Sequence, residues 1–114
     1  MAEIVTALPR DRAAEVIGNQ LLRSAGSIPA NIAEGYGRFS QAAYRNHLSI
    51  ARGSAFEAES WLDLLGRRNY LDAATLARLL QSCARVRSML TTRMKGLGEA
   101  KASYAKEESA SYEV

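Results

Sequence analysis

Ser27-Ile28-Pro29-Ala30-Asn31-Ile32-Ala33-Glu34-Gly35-Tyr36-Gly37-Arg38 is the stretch on which the reading of this chain turns. Ile28 and Ile32 stand one helical turn apart, and the polar Asn31 and Glu34 sit beside them. Pro29 lacks an N–H and crowds the turn before it, which predicts a kink near residues 25–29 that Gly26 makes easier. Gly35 and Gly37 then predict a stop, because glycine accepts the left-handed conformation that closes helices. A helix that carries a proline, sets polar residues against apolar ones and ends on two glycines is suited to one packing environment.

Upstream, Val16, Ile17 and Leu21 join Ile28 and Ile32 on one side, so a helix is expected from Asp11 to about Tyr36. Downstream, Ser40 is a good N-cap. Tyr44, Leu48, Ala51, Ala55, Ala58, Leu62 and Leu65 follow at alternating steps of four and three, a heptad seam for near-parallel packing in a bundle. Ile50, Trp61 and Leu64 form a second apolar strip and are the candidate oligomer interface. A turn over Gly66–Leu71 leads to Asp72, which caps a last helix with Leu76, Leu79, Leu80, Cys83, Val86, Leu90, Met94 and Leu97 inward. Only Met1–Leu8 precede Pro9, enough for a short first helix. The fold class is all-α: an up-down four-helix bundle over residues 1–98 with a short or truncated first helix, and a frayed or disordered tail over 99–114.

At 114 residues the chain is one domain, and its 47% apolar content marks it as globular. A single cysteine forms no internal disulfide, and there is neither a secretory leader nor an apolar run of about 18 residues. The expectation is a cytoplasmic protein without a membrane partner. The formal charge of +3 is unevenly placed. Between residues 72 and 98 Asp72 stands alone against Arg78, Arg85, Arg87, Arg93 and Lys95, the candidate nucleic-acid contacts. An ordinary solvated helix face is the competing reading. No aromatic lies among these cations in sequence, so contacts to phosphate rather than to stacked bases are expected.

The block Ser27, Pro29, Asn31, Glu34, Gly35, Gly37 and Arg38 resembles the signature of the four-helix-bundle family first named from open reading frames in 23S ribosomal RNA intervening sequences. Ser40–Tyr44, the small and acidic segment Leu48–Glu59 and the Asn69-Tyr70-Leu71 turn resemble further parts of it. The resemblance implies an up-down bundle that in some members forms a homopentamer. In the branch that resembles the accessory variability determinant of diversity-generating retroelements, it implies nucleic-acid binding and a reverse-transcriptase partner. It also implies a longer first helix than the eight residues before Pro9. Either the chain extends upstream or another subunit covers the groove.

Chemistry finds little purchase. A di-metal carboxylate bundle needs Glu-x-x-His pairs, and the only histidine, His47, follows Tyr44 at that spacing. Cys83 falls within a leucine stripe and reads as core. Gly35-x-Gly37 follows no strand and precedes no Gly-Lys-Ser/Thr. Asn31 and Glu34 suit helix register better than catalysis, and Glu59 is expected to pair with Arg38 or Arg52. No catalytic residue, metal or cofactor is assigned. The expected function is a homo-oligomeric scaffold that binds RNA or DNA without sequence preference. The alternative is a protein–protein adaptor whose Ile50, Trp61 and Leu64 dock a partner helix.

Overall fold

The computed structural model describes residues 1–112, and the side chains of residues 1–98. The described residues are all-helical: α1 (Ala2–Thr6), α2 (Arg12–Tyr36), α3 (Gln41–Arg67) and α4 (Ala73–Tyr112). Side chains fix the starts of the three long helices. Asp11 Oδ1 accepts the Ala14 amide at 2.8 Å, Ser40 Oγ the Ala43 amide at 3.0 Å, and Asp72 Oδ1 the Thr75 amide at 2.7 Å. Each bond satisfies a first-turn donor that helix geometry leaves unpaired. α4 continues past Gly96 and Gly98, and the expected frayed or disordered tail over 99–114 lies outside the residues whose side chains are described.

The helix ends differ in mechanism from the expected glycine stops. Gly37 closes α2 in the right-handed region, at φ −79° and ψ −2°, and no described glycine has a positive φ. Asn69 adopts the left-handed conformation instead, at φ 61°. Its N–H bonds to Gly66 O at 3.0 Å and the Tyr70 N–H to Leu65 O at 2.9 Å, the paired bonds of a Schellman motif. The Tyr70 ring packs on the core, and its hydroxyl donates to the Asp11 carboxylate, 2.8 Å from Oδ2. The turn after α3 is thereby tied to the start of α2. Pro29 lies inside an unbroken α2 with its ring exposed.

The chain runs up and down, with α3 between α2 and α4. Both outer helices pack on α3, and among the described residues their backbones do not approach each other. The α3 seam is buried from Leu48 to Leu65 as the heptad spacing requires, while Tyr44 at its start is half-buried. Val16, expected inside, is 51% exposed; buried Ile17 and Leu21 carry that face, with Ser24 continuing it. Ser24 is accommodated because its hydroxyl donates back to Gln20 O and Leu21 O.

Two clusters make up the core. Ile17, Leu21, Ala58, Leu62, Leu65, Leu79 and Cys83 form the first, and Ile4, Val5 and Leu8 of the N-terminal segment pack against it. Gly18 permits this approach: a Cβ there would stand 3.0 Å from Val5 Cγ1 and 3.2 Å from Leu8 Cδ1. Leu48, Ala51, Leu90 and Leu97 form the second, bordered by half-buried Ile28, Ile32, Tyr44, Val86 and Met94. No residue of α1 reaches this second cluster. The short first helix fills the fourth position of the bundle over one half of the core.

Candidate nucleic-acid interface

The signature block builds a polar seam between α2 and α3. Asn31 Nδ2 donates to Ser27 O at 2.8 Å and to Ser27 Oγ at 2.9 Å, and Ser54 Oγ donates to Ser27 Oγ at 2.9 Å. Since a backbone carbonyl only accepts, Asn31 must present its own oxygen to His47 Nδ1, 3.2 Å away, and that nitrogen carries the proton. The half-buried groups Ser27, Asn31 and His47 and buried Ser54 are mutually satisfied, so they fix register at little cost. Glu34 points to solvent and pairs with Arg38 at 2.6 Å. Gly35 is buried against Tyr44 and His47. The block thus positions helices rather than reactants.

The cations of α4 divide into two groups. Arg78, Arg85, Arg93 and Lys95 are exposed, and no described carboxylate forms an ion pair with them. Arg87 belongs elsewhere. Its Nε lies 2.8 Å from Glu59 Oε2, its terminal NH2 group donates to Glu59 Oε1 at 3.0 Å, and the side chains are 27% and 18% exposed. Nε sits off the hydrogen-bond axis, so the contact is one aligned bond plus close charge. The Arg87 guanidinium also lies 4.3 Å from the Phe56 ring centroid, with Arg52 at 5.2 Å from the same ring. Arg87 is therefore a strut between α4 and α3, and it replaces Arg38 and Arg52 as the partner of Glu59. Arg23 of α2 pairs with Glu57 on α3.

The fold also brings aromatics to the cations of α4, which sequence order conceals. The Arg93 guanidinium stands 5.6 Å from the Tyr44 ring centroid, and Arg45 Nε donates to Met94 O at 3.4 Å. The second apolar strip is mixed. Ile50 and Leu64 are exposed, whereas Trp61 is half-buried against the first core cluster, its indole N–H without an acceptor among the described residues. Cys83 is buried, and desolvation followed by the Glu59 carboxylate pushes its thiol above the ordinary 9.0. Among the described residues no three His, Cys, Asp or Glu side chains converge, and no helix is long and apolar enough to cross a membrane.

These features define a small up-down helical bundle with a short first helix, a polar α2–α3 seam and exposed cations along α4. The chain belongs to the family of 23S rRNA-intervening sequence proteins, which it matches over residues 1–92. A crystal structure of a protein of unknown function from the S23 ribosomal protein family of Bacteroides thetaiotaomicron is similar to it, at 35% identity and a TM-score of 0.69. The similarity covers 70% of this chain and 74% of that one. No curated protein matches the sequence.

Proposed function

We propose that this protein is a non-enzymatic, homo-oligomeric cytoplasmic scaffold that binds RNA or DNA through the backbone phosphates, using Arg78, Arg85, Arg93 and Lys95. The observation that carries the reading is the exposure of these four cations on one helix, with no described carboxylate paired to them. Phosphate contacts displace condensed counterions, so affinity falls steeply with salt, by roughly tenfold or more between 50 and 200 mM for several contacts. Repetition of the patch around an oligomer, a pentamer being favoured by the family resemblance, raises a weak contact to a useful avidity. The retroelement branch would make a reverse transcriptase a further partner.

The test is fluorescence anisotropy of labelled RNA and DNA across a salt series, with wild type and an Arg78→Gln/Arg85→Gln variant. A shallower salt slope in the variant supports the reading, and salt-independent affinity in the wild type overturns it. The adaptor reading draws on exposed Ile50 and Leu64. Light scattering of Leu64→Ser separates the two. Loss of a wild-type oligomer assigns the strip to self-assembly, whereas a wild-type monomer favours the adaptor.

A further inference from the structure

Three aromatic side chains gather at the end of the bundle where α2 passes into α3. Tyr36 closes α2, Phe39 lies in the connection and Tyr44 stands in the first turns of α3. The Tyr36 and Tyr44 rings meet edge to face, with centroids 6.1 Å apart and planes at 81°. Tyr36 is 78% exposed and Phe39 is fully exposed. Two large rings thus stand in water within four residues of each other, beside a shallow cavity of 220 Å³ lined also by Tyr44 and by Arg93 and Leu97 of α4. Cations frame the same place. Arg93 lies over the Tyr44 ring and lines the cavity, as does Arg38. The acid beside them in α2, Glu34, is already neutralised by Arg38.

Exposed rings interleaved with cations match single-stranded nucleic acid, which offers an unstacked base face and a phosphate at every step. A duplex hides those faces, and a purely apolar partner has no use for the arginines. We propose that this end of the bundle is a base-stacking platform, in which Phe39 and Tyr36 receive successive bases while Arg93 holds an intervening phosphate. The inference rests on the nucleic-acid reading of α4 and narrows it, from any polyanionic backbone to single strands with bases.

The test compares three labelled probes against the full chain: a single-stranded RNA oligomer, the same sequence as a duplex, and an abasic ribose-phosphate oligomer of equal length. The proteins are wild type, Phe39→Ala and Phe39→Trp, with folding checked by thermal melts. The expected result is a roughly tenfold preference for the single strand over the abasic oligomer. Phe39→Ala is expected to reduce that preference severalfold without changing abasic affinity or salt slope, and Phe39→Trp to retain it. Equal affinity for single-stranded and abasic probes overturns the platform and leaves the phosphate reading standing. Binding to none of the probes overturns both. A change of oligomeric mass in Phe39→Ala with RNA affinity intact assigns the ring to a protein contact and likewise overturns the platform.

Discussion

At Gly35 the backbone of α2 passes so close to α3 that an added Cβ would stand 2.6 Å from the Cβ of His47. The same Cβ would meet Tyr44 Cδ1 at 3.1 Å and Tyr44 O at 3.3 Å. His47 Cβ and Tyr44 O are fixed to the α3 backbone and cannot swing away as a side-chain tip can. Gly35→Ala is expected to destabilise the fold by about 1–3 kcal/mol through overpacking, despite alanine's better helix propensity. Gly26 and Gly53 meet nothing within 4 Å, so alanine there is expected to stabilise by up to about 1 kcal/mol. Urea unfolding of the three variants checks the opposite signs.

Arg87 and Glu59 form the half-buried tie between α4 and α3. Removing one partner strands the other charge beside the Phe56 ring or the Cys83 thiol. Glu59→Gln or Arg87→Met alone is expected to cost about 1–3 kcal/mol, below the range of fully buried pairs because water still reaches both groups. The double variant should lose less than the sum of the singles, and a double-mutant cycle by chemical denaturation measures that coupling. Strict additivity would show that the tie contributes nothing.

Asp11 and Asp72 are exposed N-caps whose carboxyls are held below the ordinary 3.8. For Asp11 the Ala14 amide is the main cause, followed by the Tyr70 hydroxyl; for Asp72 it is the Thr75 amide, followed by the Thr75 hydroxyl. With folded values lower than unfolded ones, their stabilisation is complete above about pH 5 and is lost as pH falls through the unfolded and then the folded values. Thermal melts between about pH 2 and 7 should therefore show a plateau and an acid decline. Asp11→Asn and Asp72→Asn, which keep a capping oxygen without the titration, should each flatten the decline.

The Cys83 thiol is buried and pushed above its usual value, so little thiolate forms at neutral pH. Reaction with a disulfide reagent at about pH 8 is expected to be slow in the native protein and complete within the mixing time in denaturant. Rapid native labelling would show that α4 opens readily from α3.

Much of the architecture is legible in the sequence because it is local. The α3 seam follows from heptad spacing, and Ser40 and Asp72 mark helix starts through bonds that span three residues. The seam between Ser27, Asn31, His47 and Ser54 is less legible, since an Asn beside an isoleucine does not say which residue across the interface will accept or donate. Gly35 reads as a stop because glycine commonly ends helices, yet its packing against His47 sets the requirement. Long-range pairings are hidden altogether. Arg87 meets Glu59 across 28 positions and Arg93 meets Tyr44 across 49, and only the register of α4 on α3 makes either contact. One strut among the α4 cations, and a ring beside another, thus emerge only on folding.

Among the described residues the helix backbones approach one another only between neighbours in sequence, α1 with α2, α2 with α3 and α3 with α4. The protein is in effect two antiparallel hairpins that share one arm. Such local topology folds quickly, since little chain must be closed before the contacts form. It also allows either outer arm to detach while the other hairpin stays paired, so amide exchange should release α4 or α2 as a unit before the α3 seam opens. A partner that engages α4 would then act on a hairpin the protein can lend without unfolding the rest.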